Sequence, residues 1–115
     1  MFSKKNIQEI PIEQASHSSG SRKMLAQKEE VNSNYFDAFT YGYLPPKEQW
    51  NMHKHENIIE ICLVVKGSGI IKNIEGDTEE FKPGDRFIFP SNTEHEIKNM
   101  SETTAEFYFF RIQDK

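Results

Sequence analysis

Residues 53–67, HKHENIIEICLVVKG, join a polar segment containing two histidines to an apolar run that ends at a glycine. From Ile58 to Val65 the residues are almost all apolar and rich in β-branched side chains, which is typical of a strand buried on both faces of a sandwich or barrel. Lys66-Gly67-Ser68-Gly69 then has the composition of a turn. The stretch therefore predicts a central β-strand with a polar, histidine-containing segment just before it.

Further short strands, separated by turns rich in Gly and Pro, are predicted on both sides of this stretch. Residues 35–44 alternate with a period of two and are rich in aromatic side chains until Pro45-Pro46. Later strands are predicted at residues 70–74, 79–82, 86–89, 94–98 and 105–112. This spacing predicts an all-β, antiparallel sandwich or barrel spanning residues 34–115.

Residues 1–33 differ from the rest of the chain because they are polar and rich in serine around His17. They predict an N-terminal arm of one or two short strands with a loop, in which His17 is expected to be exposed. The run from Arg22 to Val31 is the one candidate helix, and it is only weakly amphipathic.

Length and composition limit the classes of function. A chain of 115 residues is expected to form one domain. Its net charge of -4, without a basic stripe, argues against nucleic-acid binding. No apolar run is long enough for a signal peptide or a membrane span, and Cys62 is the only cysteine, so we expect a reducing, cytoplasmic compartment.

The histidines of the opening stretch are candidates for a metal site. In a strand, residues two apart point to the same side, so His53 and His55 could bind one ion, although an isolated pair of this kind is more often an exposed polar face. Glu60 alternates with Cys62 toward the interior, where a carboxylate is unfavourable unless it is paired or bound to a cation. His95, in another short strand, could complete the set.

Three imidazoles and a carboxylate suit a particular group of metals. Fe, Mn, Ni, Co, Zn and Cu favour such ligands, whereas Ca and Mg prefer oxygen alone. The residues therefore predict one divalent transition metal without selecting among these six.

At this point the sequence resembles the cupin superfamily, over roughly residues 35–112. The first cupin motif is matched by His53, His55, Glu60 and Gly67 at the family's spacing. The second motif is matched by the following residues: Gly84, Asp85, Pro90, His95 and Asn99. The joint pattern is more specific than either half.

Two positions depart from the family pattern. Asn92 stands where the second motif has a glycine, and Lys47 stands where the family commonly has a glycine ahead of its first histidine. Asn is the non-glycine residue that best tolerates a positive φ, so we expect a tight turn at residue 92 to survive.

The resemblance implies an antiparallel jelly-roll β-barrel with a metal held near one open end by His53, His55, Glu60 and His95. It also implies a homodimer, because cupins of this size often dimerise. The N-terminal arm is expected to add an edge strand to its own sheet or to form a dimer contact with its partner's.

Other side chains are candidates for weaker roles. Arg111 has the parity of Phe107 and Phe109, so if that face is inward it would be a buried cation suited to a carboxylate substrate. Tyr43, Cys62 and Glu96 are weak candidates for acid–base catalysis, although Cys62 is more typical of a small buried hydrophobe. Six aromatic residues are expected to fill the barrel: Tyr41, Tyr43, Phe87, Phe89, Phe107 and Phe109.

The leading functional hypothesis is a metal-dependent enzyme acting on a small polar molecule such as a carboxylate, a keto acid or a sugar derivative. The metal would act as a Lewis acid or an oxygen-activating centre, in dioxygenase, decarboxylase, isomerase or lyase chemistry. The alternative is a non-catalytic cupin that binds a small ligand as a sensor or storage module. A structural barrel without metal is the third possibility.

Overall fold

The computed structural model describes residues 2–14 and 19–114, so the expectation for His17 lies outside the described residues. These residues form ten β-strands: β1 Ile12–Gln14, β2 Ser21–Gln27, β3 Phe36–Leu44, β4 Gln49–His53, β5 Ile58–Lys66, β6 Gly69–Asn73, β7 Thr78–Phe81, β8 Arg86–Phe89, β9 His95–Asn99 and β10 Ala105–Gln113. A 3₁₀ helix spans Ile7–Glu9 and a single-turn helix, α1, spans Lys28–Val31. Within the described ranges, no helix is long and apolar enough to cross a membrane.

The strands form two antiparallel sheets arranged as a jelly roll, which confirms the predicted fold class. The larger sheet has the order β1-β2-β3-β10-β5-β8, and the smaller has the order β4-β9-β6-β7. Strands distant in sequence are neighbours in both sheets, so residues from both cupin motifs meet within one molecule.

The core lies between the two sheets. Phe107 on β10 is fully buried and pairs with Gly42 on β3 and Val64 on β5. Trp50 and Ile97 of the smaller sheet belong to the same buried cluster. Strands β5, β6, β9 and β10 therefore bury alternate residues over much of their length, as the period-two pattern predicts.

Two of the six predicted barrel-filling residues were assigned to the wrong face. On β3 the inward positions are the even ones, because Gly42 faces the rings of Trp50 and Phe109. Tyr41 and Tyr43 therefore lie on the outer face, where Tyr41 is nevertheless buried. The outer face of this strand carries aromatic side chains, whereas its inner face includes Ala38, Thr40 and Gly42, so alternation alone does not identify the inner one.

The weakly amphipathic run from Arg22 to Val31, the one candidate helix, is helical only at its end. Residues Ser21–Gln27 are β2, which pairs antiparallel with β3, and only Lys28–Val31 is helical. The ladder with β3 satisfies a row of backbone groups that would otherwise stand at a sheet edge, and this outweighs a weak helical preference. The arm thus adds a strand to its own sheet.

The two residues that stand where the family has glycine both have a positive φ. Asn92 has φ of 62° and Lys47 has φ of 65°. The expectation for Asn92 is confirmed, and Lys47 tolerates the same region while its Nζ donates to the Met100 carbonyl at 2.9 Å.

Asn99, the last residue of the second motif, is a structural hub. Its buried Nδ2 donates to the carbonyls of Leu44 at 2.9 Å, Pro45 at 3.1 Å and Thr103 at 2.8 Å. Its Oδ1 accepts from the Ser101 amide at 2.9 Å. One side chain therefore ties the end of β3 to the β9–β10 connection.

Candidate metal centre

The four predicted ligands lie at one end of the space between the sheets. His53 ends β4 and is the register partner of His95, which begins β9. Glu60 lies on β5 of the opposite sheet. The sheet pairing therefore accounts for the meeting of three of the four residues.

His55 reaches the same place by a different route from the one expected. It lies beyond the end of β4, in the connection to β5, so the prediction that strand alternation aligns it with His53 is wrong. Its carbonyl accepts from the Asn92 amide at 3.1 Å, and Asn57, later in the same connection, has φ of 59°. A turn anchored to the β8–β9 connection thus places this imidazole.

The four side chains are close together. The ring centroid of His53 lies 5.0 Å from that of His55 and 4.6 Å from that of His95. The Glu60 carboxylate lies between His95 and His55. Its Oε1 is 3.5 Å from Nε2 of His95, and its Oε2 is 3.8 Å from Nε2 of His55. The arrangement places one carboxylate against two imidazoles.

Glu60 is a buried anion. It is 7% exposed, and this burial raises the pKa of its carboxyl, but the contact with His95 and the charges of His55, His95 and Arg111 outweigh burial and leave the pKa below its usual value. Glu60 is therefore ionised at neutral pH, and the surrounding groups stabilise its charge.

Two of the imidazoles are oriented as metal-binding histidines usually are. Nδ1 of His53 donates to the Asn51 carbonyl at 2.6 Å and Nδ1 of His95 donates to the Thr93 carbonyl at 3.3 Å, which directs the Nε2 atoms away from the backbone. The ring of Phe89 stacks on His95 at 3.8 Å. Nε2 of His95 is buried and has no hydrogen-bond partner among the described residues, and Oε1 of Glu60 lies 3.5 Å from it.

His55 is held differently because it faces Arg111. Nη2 of Arg111 lies 3.1 Å from Nδ1 of His55, and a guanidinium can only donate. The neutral imidazole must then carry its own proton on Nε2, so ligation through Nε2 requires Arg111 to release Nδ1. Within the described part of the chain, no group of three or more His, Cys, Asp or Glu side chains has its ligand atoms already arranged around a common metal position.

Arg111 lies inward on β10 and is itself held by acidic side chains. Its Nε lies 3.5 Å from Oδ2 of Asp37 and 4.0 Å from Oε2 of Glu60. Gln113 Nε2 donates to Asp37 at 3.1 Å. The sequence analysis missed Asp37 and Gln113, and no alternation pattern finds them, because the β3–β10 register shifts just after Arg111.

The four predicted ligands and Arg111 line a cavity of about 60 Å³, which is small beside the usual 300–1,000 Å³ of ligand pockets. Its lining also includes residues that the sequence analysis did not assign to the site: Ser21, Arg22, Thr40, Gly42 and Ile97. Ser21 and Arg22 belong to the N-terminal arm, whose contribution no motif indicates.

The three acid–base candidates lie elsewhere. Tyr43 is on the outer face of β3, where burial foremost, and then the charge of Glu106, raises the pKa of its hydroxyl. Cys62 is fully buried in the core, and burial raises the pKa of its thiol. Glu96 lies on β9 with the parity opposite to His95, 3.9 Å from Lys72. None of the three lines the cavity as described.

Comparison with known proteins agrees with this geometry. Residues 41–111 match the cupin domain family, and the matched segment contains all four proposed ligands and Arg111. The chain is 32% identical to an oxalate-binding protein of Thermotoga maritima over 83 residues, which are 72% of this chain and 67% of the relative.

Solved structures give the same result. A predicted oxalate decarboxylase from Thermotoga maritima has a TM-score of 0.83 and 28% identity, over 94% of this chain and 96% of that one. The polyketide cyclase RemF from Streptomyces resistomycificus has a TM-score of 0.81 at 18% identity, over 100% and 81% of the two chains, and shows likeness of fold alone.

The family match extends over more than half of the chain, and both cupin motifs fall on the strands and turns described above. The protein is therefore a member of the cupin family.

Proposed function

We propose that this cupin is a metal-dependent enzyme acting on a small carboxylate or keto acid. A divalent transition metal, one of Fe, Mn, Ni, Zn, Co or Cu, would be held by His53, His55, Glu60 and His95. The observation that carries the proposal is the meeting of a buried, ionised Glu60 and three imidazoles in one small cavity.

The bound metal would supply Lewis-acid or oxygen-activating chemistry at the substrate's oxygen atoms. Arg111 would hold the substrate carboxylate through the paired donors of its guanidinium. Asp37, 3.5 Å from Nε, would keep that guanidinium aimed at the cavity. Trp50 and Phe109 would exclude water from the reacting atoms and so strengthen each electrostatic contact.

The cavity size narrows the substrate class. About 60 Å³ admits a molecule of a few heavy atoms and is small for a sugar derivative. A short carboxylic acid therefore fits better than the sugar derivatives that the sequence alone leaves open.

A non-catalytic binding module is the second candidate function, and two observations favour it. The Thermotoga maritima relative is named for binding oxalate rather than for turning it over. In addition, Tyr43, Cys62 and Glu96 do not line the cavity, so the proton-transfer groups proposed for catalysis are not at hand.

An assay separates the two candidates. The metal-loaded protein would be incubated with short carboxylic and keto acids, with and without oxygen, beside a folded His55→Ala variant. Turnover that the variant loses supports the enzyme. Tight binding of an acid without turnover, on a panel that includes oxalate, favours the binding module.

We also propose that the protein forms a homodimer through the outer face of its larger sheet. Phe110, Ile61 and Ile88 are side-by-side register partners on β10, β5 and β8, and Ile88 is 50% exposed. A contiguous apolar stripe of this kind is typical of an interface. Light scattering should give twice the chain mass, and the Ile88→Lys variant should give the monomer mass.

The state of Cys62 supports a proposal about the cellular compartment. Cys62 is fully buried, unpaired and the only cysteine in the chain, so a reducing cytoplasmic location remains our proposal.

A further inference from the structure

The N-terminal arm supplies part of the wall of the same cavity that holds the histidines. Arg22 of β2 lines it together with Arg111 of β10. Strand β3 lies between these two strands, so their backbones are about 10 Å apart across the sheet. On β3 the register partner of Arg22 is Gly42 and that of Arg111 is Ala38. The two arginines are therefore also offset by about 13 Å along the strand direction. The two cations therefore approach the cavity from different ends.

Register places Arg22 on the cavity face of the sheet. Its partner on β3 is Gly42, an inward position over which the rings of Phe109 and Trp50 pack so closely that a Cβ there would lie 3.1 Å from each. Its partner on β1 is Glu13. The Arg22 side chain is 25% exposed, so it is a partly desolvated cation at the cavity wall.

The arm is fixed against the site by specific contacts. The indole Nε1 of Trp50 donates to the Ser19 carbonyl at 2.7 Å. Gly20 has φ of +80°, and a Cβ there would lie 3.2 Å from the same indole nitrogen. Since Trp50 also lines the cavity, these contacts set the position of Arg22 relative to the metal-binding residues.

We infer that Arg22 is a specificity-determining residue that binds the second carboxylate of a short dicarboxylate, whose first carboxylate is held beside Arg111. This inference rests on the proposed function. A monocarboxylate would bind only one of the two arginines, and the other would keep its ion pair within the protein, with Glu13 for Arg22 or Asp37 for Arg111.

Glu13 occupies Arg22 before the ligand arrives. Its Oε2 lies 3.1 Å from Nε of Arg22, and its side chain is 48% exposed, so the carboxylate can move into solvent when a ligand carboxylate replaces it. Glu13 therefore competes with the dicarboxylate, and its removal should strengthen binding.

The test is calorimetric titration of the full-length protein, with and without Mn²⁺, using matched acids. Oxalate, malonate and succinate are compared with formate, acetate and propionate, each pair differing by one carboxylate. Arg22→Gln should weaken dicarboxylate binding about tenfold and leave monocarboxylate binding unchanged. Glu13→Gln should tighten dicarboxylate binding, and Arg22→Lys should restore part of the loss.

The control is Arg86→Gln, which removes the same charge from an exposed position on β8. Equal weakening of both classes of acid by Arg22→Gln, or a wild-type protein that binds no dicarboxylate more tightly than its matched monocarboxylate, overturns the inference. Binding that does not depend on Mn²⁺ counts against the proposed metal function. The ratio of dicarboxylate to monocarboxylate affinity tests the role of Arg22 whether or not Mn²⁺ changes the binding. Thermal unfolding of each variant verifies that it is folded.

Discussion

Arg111 donates from Nη2 to Nδ1 of His55 across 3.1 Å, linking the cation expected to hold the substrate to one of the four proposed metal ligands. The same nitrogen of His53 and of His95 faces a backbone carbonyl instead. A metal on Nε2 of His55 would require a proton on Nδ1, where it would meet the guanidinium donor. Metal binding through Nε2 of His55 would therefore release Arg111 and make its guanidinium available to a carboxylate.

This competition gives the first prediction. Arg111→Met removes the donor, so affinity for Zn²⁺, measured by competition with a chromophoric chelator, should stay the same or rise. Carboxylate affinity of the metal-loaded protein should fall about tenfold, the usual effect of losing a charged hydrogen bond. Arg86→Met is the matched control, and a loss of Zn²⁺ affinity in Arg111→Met would contradict the account.

The second prediction concerns Asn99. Asn99→Ala leaves the carbonyls of Leu44, Pro45 and Thr103 without their donor, so it should lower the free energy of unfolding by about 3 kcal/mol or more. Urea denaturation measures this loss. The exposed Asn34→Ala should change stability by less than about 0.5 kcal/mol. Similar values for the two variants would remove the structural role assigned to this motif residue.

The third prediction tests the turn at Asn92. Its φ of 62° strains a residue with an ordinary side chain, so Asn92→Ala should be less stable than Asn92→Gly by about 1 kcal/mol. Thermal or urea denaturation of the pair gives this difference directly. An alanine variant as stable as the glycine variant would show that the turn relaxes.

The fourth prediction is a pH dependence. Burial foremost, together with the 2.7 Å hydrogen bond to Glu106, raises the pKa of the Tyr41 hydroxyl well above its ordinary value of about 10. The folded state holds this proton more tightly than the unfolded state, so the contribution is fully present below pH 10 and is lost as the pH rises above it. Tyr41→Phe should reduce the slope of stability against pH above pH 10.

Tyr35→Phe is the control for that experiment, because Tyr35 is 68% exposed. Wild-type and Tyr41→Phe curves that stay parallel between pH 10 and pH 11 would contradict the assignment.

The sequence predicts the fold better than it predicts the cavity. The apolar run around Ile61 and the turn residues near Gly67 and Gly84 indicate the strands, because local alternation and turn chemistry act over a few residues. Arg22 reaches the cavity through strand pairing, and Asp37 reaches Arg111 beside a register shift. Both escape detection because these features depend on partners distant in the chain. The inner face of β3 is ambiguous for a related reason, since Tyr41 is buried on the outer side.

The most direct measurement is the metal content of the purified protein after growth in medium supplemented with transition metals. Wild type should retain about one equivalent per chain, and Glu60→Gln and His95→Gln should each lose most of it while remaining folded. Glu96→Gln, which removes a neighbouring carboxylate of opposite parity, should retain the metal. Less than about a tenth of an equivalent in the wild type would contradict the proposed metal centre.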